Sequence, residues 1–578
     1  MNLALFRPLR APLTLLALTL ILSGCGGGGD AADEAPQQPA VPVSKTEAAR
    51  FLSQASYGAN EAGINYVASV GYARWLNEQF NKPRRSLLAH VDKTIAEYAA
   101  AGGTATANTN DVWEAYWQQA IAGEDQLRAR TAFALSQLLV ISAADGDLSG
   151  RPRTMASFYD VLEANAFGNF RQLLNDVTLH PGMALYLTYM ANRKESATRV
   201  PDENYAREIM QLFTIGLHQL NPDGTLKRDG SGNPIPTYTN EDVTGLAKVF
   251  TGWSWGGPDN SDARFSGSST ARDPNRDVLP LQGYPKFFSS SEKKFLGVTI
   301  PARGTATLAD MQADLKLALD TLFNHPNVGP FVGRQLIQRL VTSNPSPAYV
   351  QRVAAAFANN GSGLRGDMQA VIRAVLLDNE ARDATIASNA QFGKLREPVI
   401  RLAHWARAFN ATSKSGTFMI QNLNNPISQL GQTPMLSPSV FNFFRPGYVP
   451  GGTAIGARGL LAPELQITTE ASVVGYLNYM NSAIRNGAGS NRDVLPDYTA
   501  EIALADDAAK LLERVDLLLT HGQMDAATRE QILTALNAIV IPKPASNGST
   551  TNVDNARKNR VYTAIFLTMA SPNYLVQK

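Results

Sequence analysis

Cysteine is nearly absent: the 578 residues hold one, Cys25. A single thiol excludes an internal disulfide framework and any cysteine-based metal site, so packing must hold the fold together. Histidine is scarce too. The chain has six, His90, His180, His218, His325, His404 and His521, and no two lie within four residues of each other. That spacing excludes a zinc pair on one helix turn, and no H-E-x-x-H, P-loop or C-x-x-C motif is present. An excess of one charge is also missing, since 52 Lys and Arg face 50 Asp and Glu. A balanced chain carries no long-range field toward nucleic acid or anionic lipid, so no nucleic-acid partner is expected. Past the first 25 residues no run of 18 apolar residues occurs, which excludes a later membrane-spanning helix.

What is present begins at the N-terminus. Arg7 and Arg10 precede the apolar run Leu13 to Leu22, which is interrupted by Thr14 and Thr19 and ends in Leu22-Ser23-Gly24-Cys25. The run is too short for a permanent span and ends in the small residues that a cleavage site needs, the plan of a signal peptide over 1–24. Leu-Ser-Gly-Cys resembles the lipobox of bacterial lipoproteins. The resemblance implies cleavage before Cys25, a lipid on its thiol and a membrane as partner through that anchor, with several acyl chains giving a stable hold. Gly26 rather than Asp follows the cysteine. By the same analogy this favours the outer membrane, on the periplasmic or the surface face. Residues 25–43 open with four glycines, hold Pro36, Pro39 and Pro42, and lack apolar periodicity, so they read as a flexible tether. Without Arg7 and Arg10 the mature chain balances at 50 basic against 50 acidic residues.

Residues 44–578 carry a helical period throughout. Leu127, Thr131, Ala134, Leu135, Leu138 and Leu139 recur at intervals of three and four, and so do Phe158, Leu162, Ala166 and Phe170. The same pattern returns in Leu315, Leu319 and Leu322, in Phe331, Leu336 and Leu340, in Val350, Val353, Ala354 and Phe357, in Val371, Ile372, Val375 and Leu376, and over 560–567. The strongest strand signal is Gly224 to Tyr238, where Asp223-Gly224 and Asp229-Gly230 are turn pairs and a small hairpin is expected. Residues 256–307 are rich in Gly, Ser, Pro and Asp and read as a long surface insertion; 411–465 is again irregular, with a possible sub-boundary there. The expected fold is mainly α: a large multi-helix body, of one domain or two fused lobes, with a small β-hairpin and long irregular insertions.

Two motif matches fail in their context. Gly252-Trp253-Ser254-Trp255-Gly256 fits G-x-S-x-G, but a nucleophile elbow needs a strand before it and a helix after it. Here Val243, Leu246, Ala247 and Phe250 form a helical stripe before it, and Gly257-Pro258 stops any helix after it. Gly361 to Gly366 fits G-x-G-x-x-G but joins two helical stripes, as a C-cap and loop would. His180-Pro181 and His325-Pro326 each end a helical run, where a histidine suits the helix dipole.

One segment concentrates chemistry. Pro201-Asp202-Glu203-Asn204-Tyr205-Ala206-Arg207-Glu208 is expected to open a helix running to about Leu217, with Tyr205, Ile209, Leu212, Phe213 and Gly216 on its buried face. Glu203 and Arg207 stand at i and i+4 and can pair. The next helix opens at Thr239-Asn240-Glu241-Asp242 with the spacing of a capping box. Glu203, Glu208 and Asp242 are thus candidate catalytic carboxylates. Arg207, Glu241, Trp253 and Trp255 are candidate binding residues, together a carboxylate-lined cleft with an aromatic wall for a sugar, a cation or a cationic group. A capped helix pair with solvated charges is the alternative. Which cofactor the chain takes, if any, is open, and so is whether a metal sits among the carboxylates. Lys394, Arg396 and Glu397 read as the charged opening of a helix that begins at Pro398.

Several segments together resemble the domain-of-unknown-function 1800 family: Leu127-Arg128-Ala129-Arg130, FALSQLLVIS at 133–142, NAFG at 165–168, PDENYAREIMQLFTIGL at 201–217, YTNEDV at 238–243, TGW at 251–253, GKLREP at 393–398, PSVFNFFRP at 438–446, APEL at 462–465 and SPNYLVQ at 571–577. The match spans roughly 45–577, with the insertion between Trp253 and Ile300 as a departure from shorter relatives. The resemblance implies an exported bacterial protein without an assigned catalytic residue, often paired with an exported sulfatase- or phosphatase-like partner. Three roles follow as expectations: a binding or assembly protein for surface polymers or such a partner, an extracytoplasmic hydrolase or lyase, and a structural envelope protein.

Overall fold

The computed structural model describes residues 41–102 and 106–578. The expected signal peptide, the expected lipid site at Cys25 and most of the expected tether lie outside these residues. The body begins where the tether's composition ends. Ser44 caps the helix Lys45–Ala55 in a capping box, accepting from Glu47 N at 3.2 Å while Glu47 Oε2 accepts from Ser44 N at 2.9 Å. Contacts group Ala40–Lys578 into one unit, so the irregular stretch 411–465 does not divide it.

The expected apolar stripes become helices. They are Gln126–Ser136, Pro152–Asn165, Leu308–Asn324, Val328–Leu340, Pro347–Ala358, Met368–Leu377 and Thr551–Ala570, and they make a mainly α fold. One stripe is broken: the helix carrying Phe158 and Leu162 stops at Asn165, and Phe170 starts a new one, Phe170–Thr178, capped by Asn169. Helices Val328–Leu340, Pro347–Ala358 and Met368–Leu377 pack on one another, and Lys45–Ala55 packs on Ala508–Thr520, which brings the two ends of the body together.

Strands are short and lie away from the strongest sequence signal. The antiparallel pairs are Trp253–Ser254 with Gln282–Gly283, Lys293–Phe295 with Val298–Ile300, Lys394–Leu395 with Val576–Gln577, and Thr412–Ser413 with Val494–Leu495. The expected hairpin over 224–238 is instead a three-stretch arm held by isolated bridges, His218 to Pro236, Leu220 to Leu226 and Arg228 to Pro234. Both Asp-Gly pairs do turn the chain, but Gln219 N–H and C=O serve two different stretches, donating to Ile235 and accepting from Lys227, so no continuous ladder forms.

The insertion 256–307 folds back onto the body. Phe265, Tyr284, Phe288 and Lys293 are buried. Lys293 pairs with Asp314 at 3.1 Å, and Arg303 grips the same carboxylate with two bonds of 2.8 and 2.6 Å. Gly245 permits the closest approach: a Cβ there would stand 1.7 Å from the Lys294 carbonyl oxygen, so the helix Asn240–Ala247 lies against the strand Lys293–Phe295 only because this residue has none.

Candidate functional site

The segment 201–217 is helical over 204–214, but it is not one α-helix. It is α-helical over Asn204–Glu208 and π-helical over Ile209–Thr214. The wider turn rotates the later residues, so Thr214 is buried while Leu212 is only partly covered. Pro201 precedes the helix rather than opening it, and Asp202 Oδ1 accepts from Asn204 N at 2.8 Å.

The three candidate carboxylates occupy separate settings. Glu203 pairs with Arg207 at 3.3 Å and accepts from Thr244 Oγ1 at 2.8 Å, which joins the two helices. Asp242 completes the capping box through Oδ2 and accepts from Leu296 N at 2.6 Å through Oδ1, so both of its oxygens are committed to structure. Glu208 is buried with Oε2 unpartnered among the described residues, and burial raises its carboxyl above the usual range, with Arg207 opposing. Glu241 is exposed on the first turn. The tryptophans are buried elsewhere: Trp253 Nε1 donates to Val249 O at 3.2 Å, and the Trp255 ring lies under Arg276 and Arg151 at 4.6 and 5.4 Å. Ser254 is fully buried and donates to Phe265 O at 2.6 Å, with no histidine beside it. The geometry is that of a capped helix pair. Asp242→Ala should therefore cost about 1–2 kcal/mol through the lost cap, and Glu203→Gln less than about 1 kcal/mol. Thermal melts of the two variants check this, and equal losses would contradict it.

Trp253 does border an open cleft. A cavity of about 650 Å³ lies between the helices Phe170–Thr178 and Leu308–Asn324 and the start of the insertion. Trp253, Leu281, Leu308 and Leu315 give it apolar surface, and Asn175, Asn260, Gln282 and Gln312 give it amides. Its one carboxylate, Asp259, is held by Arg264 at 2.7 Å, and that hydrogen bond keeps the carboxyl well below its ordinary range.

The motif segments that carry the family resemblance meet at a different place, inside the body. Lys394, Arg396 and Glu397 do precede a helix whose first residue is Pro398, Pro398–Ala408, but they are buried rather than a solvated opening. Lys394 Nζ stands 2.9 Å from Glu464 Oε1, both side chains being 1% exposed. Glu397 Oε2 accepts from Gln137 at 2.6 Å and from Gln432 at 2.7 Å. The Arg339 carbonyl accepts from Arg130 at 2.6 Å and from Lys394 at 3.2 Å. Five cations buried in this region, Arg130, Arg339, Lys394, Arg396 and Arg401, outnumber its two buried carboxylates, Glu397 and Glu464. Aromatic faces take part of the surplus: Arg396 lies 4.8 Å over Tyr574, Arg401 4.7 Å over Tyr476 and Arg339 4.8 Å over Phe444. Burial pulls the Arg396 guanidinium down to about 10. The strand Val576–Gln577 closes over the cluster, Arg396 N donating to Leu575 O and Gln577 Nε2 to Leu340 O, each at 2.7 Å.

Of the two histidines expected to end helical runs, His325 does so, as the C-cap of the helix Leu308–Asn324 with Nδ1 accepting from Asn327 N at 3.2 Å, and His180 does not. His180 is buried and accepts from Gly182 N at 3.0 Å, and burial holds it down to about 3, so it stays neutral and caps the helix Pro181–Tyr186 as an acceptor rather than meeting a dipole as a cation. His404, likewise pulled down to about 3, meets Leu518 O through Nε2 at 3.0 Å. Among the described residues no three His, Cys, Asp or Glu side chains cluster so as to hold a metal ion. No described helix is long and apolar enough to cross a membrane.

These features define a mainly α body locked by a buried ion cluster to which motif segments from both halves of the chain contribute, with an open amide-lined cleft at one side. The chain belongs to the family described as "Protein of unknown function (DUF1800)", whose family model matches residues 50–576. Comparison with curated proteins and with solved structures found no match.

Proposed function

We propose that this chain is a binding or assembly protein of the bacterial envelope, lipid-anchored at Cys25 to the outer membrane, that holds a hydroxyl-rich surface polymer in the Trp253 cleft. The observation that carries the reading is the make-up of that cleft: side-chain amides and apolar surface around about 650 Å³, with one carboxylate already paired to Arg264 and two cations, Arg171 and Lys316, already paired to Asp320. Ligand sites combine an apolar lining with a few convergent polar groups in this way. Glycoside cleavage by the common route needs two carboxyl groups roughly 5–10 Å apart across the bond, and Asp259 has no such companion among the lining residues. This favours holding a polymer over cutting it. An exported sulfatase- or phosphatase-like protein, implied by the family resemblance, is the partner for which the polymer would be presented.

The test is co-sedimentation of the mature protein with polysaccharide from the envelope of its own host. Asn260→Ala combined with Gln312→Ala should weaken binding at least ten-fold while leaving the melting temperature within a degree or two, since both side chains are exposed. Unchanged binding would remove the cleft from the proposal. Shortening of the polymer during incubation would bring the hydrolase reading forward.

A further inference from the structure

A second cavity, of about 560 Å³, lies on another part of the body between the first two helices, Lys45–Ala55 and Glu61–Val70, and the end of Pro398–Ala408. Its lining is mixed: Leu52, Trp75, Ile121 and Ala406 are apolar, while Asn60, Arg407 and Asn410 are polar. Arg407 is the unusual member. Its Nε donates to Gly58 O at 3.0 Å and its NH1 to Ile121 O at 2.8 Å, so backbone carbonyls from two different segments fix the guanidinium plane. NH2 makes neither of these bonds and has no hydrogen-bond or ion-pair partner among the described residues. Burial pulls this guanidinium down to about 10, and the one carboxylate that lines the cavity, Glu124, is paired with Lys82. The fork is held in place before any ligand arrives. Gly58 is at φ 141°, and a Cβ there would stand 2.3 Å from the His404 ring, so the carbonyl that anchors Nε sits where only glycine lets the chain lie against that helix.

From this geometry we infer that the cavity binds a small carboxylate, its oxygens received by Arg407 NH2 and by the Asn410 amide, its body resting against Trp75 and Leu52. Arg407 is partly buried, and a fork fixed by two carbonyls with its remaining nitrogen free toward the cavity presents a ready donor, for which the planar carboxylate is the natural complement. Asn410 is well placed to share the load: its Oδ1 already accepts from Asn60 Nδ2 at 3.1 Å, which leaves its own NH₂ as a donor. A monoanion suits the site better than phosphate. The other lining cation, Lys82, is paired with Glu124 at 2.9 Å, and the Gly58 and Ile121 carbonyls beside the guanidinium would oppose a second negative charge.

The experiment is isothermal titration of the mature protein with glucuronate, with glucose as its uncharged counterpart and with inorganic phosphate. Glucuronate should bind at least ten-fold more tightly than either. Arg407→Gln should abolish that preference. Because its packing against Gly58 and Ile121 could also loosen the body, Asn410→Asp provides the second variant. It keeps the acceptor for Asn60, and Asp tolerates the left-handed backbone at φ 45°, but it sets a negative charge against the incoming carboxylate. Loss of glucuronate binding in a normally melting Asn410→Asp protein supports the site. Equal binding of glucose and glucuronate, tighter binding of phosphate, or glucuronate binding unaltered by Asn410→Asp would each overturn it. The polymer-binding reading stands or falls separately, since its residues line the other cavity.

Discussion

Lys394→Met should destabilise the body by about 3–5 kcal/mol, because it leaves the Glu464 carboxylate buried without its cation. The pair is enclosed on all sides, each side chain 1% exposed and 2.9 Å apart. Its neighbours cannot take over. Arg339 is pulled down by burial and is already opposed by Arg130, with Glu464 and Glu397 as its only supporting charges. The damage should travel to the C-terminus, since Lys394 pairs in register with Gln577 and Leu395 with Val576. The measurement is therefore twofold: the melting temperature, expected to fall by several degrees, and release of the last residues to a carboxypeptidase, expected to accelerate. The double variant Lys394→Met, Glu464→Leu removes both charges and should regain most of the lost stability, because apolar replacement of a whole buried pair is often neutral. A single variant that melts like the parent would show that water or another cation reaches Glu464, and the sealed cluster would have to be abandoned.

That cluster also shows what the sequence made legible and what it concealed. The apolar stripes were readable because a helix repeats its core face every 3.6 residues and local spacing suffices. The capping boxes at Ser44 and Thr239 are local in the same sense, each completed within three residues. The π turn after Glu208 was not readable, since nothing in Ile209–Thr214 departs from a helical composition and packing alone sets the widening. Nor could spacing reveal that Lys394, Arg396 and Glu397 are interior: the groups that make this tolerable, Gln137, Arg339, Glu464 and Tyr574, come from four distant segments. The signal was nonetheless present in another form. Gln137, the 394–397 triad, Glu464 and Tyr574 all lie in segments that carry the family resemblance. Two others of those segments, at 203–208 and 251–253, hold Glu203, Glu208 and Trp253, of which Trp253 borders the open cleft. Arg407 carried no signal at all, because an arginine on the last turn of a helix reads as an ordinary match to the dipole.

Glu163 should make stability depend on pH in a direction opposite to that of an ion-paired carboxylate. It is fully buried, and among the described residues neither oxygen has a partner of normal hydrogen-bond geometry, the Gln119 amide giving some support. Burial raises its carboxyl well above the ordinary 4.5, Asp160 and Asp125 raise it further, and Arg84 opposes only weakly. Tyr57 and Tyr159, both buried beside it, are pushed up as well, so this part of the core favours neutral forms. The folded state thus keeps a proton that the unfolded chain releases once pH passes about 4.5. Unfolding becomes easier as pH rises through the window between that value and the folded pKa, by up to about 1.4 kcal/mol per pH unit for one proton. Glu163→Gln retains the shape of the neutral acid and cannot ionise. Below about pH 4 the two proteins should melt together; as pH rises, the Gln variant should become progressively more stable than the parent, and the gap should stop growing once the folded carboxyl itself ionises. Melting curves of both proteins at half-unit steps from pH 4 to pH 8 would show it. A difference that stays constant across the series would mean that Glu163 is already ionised in the fold, in which case Arg130 or Arg128, rather than burial, would have to govern this corner of the core.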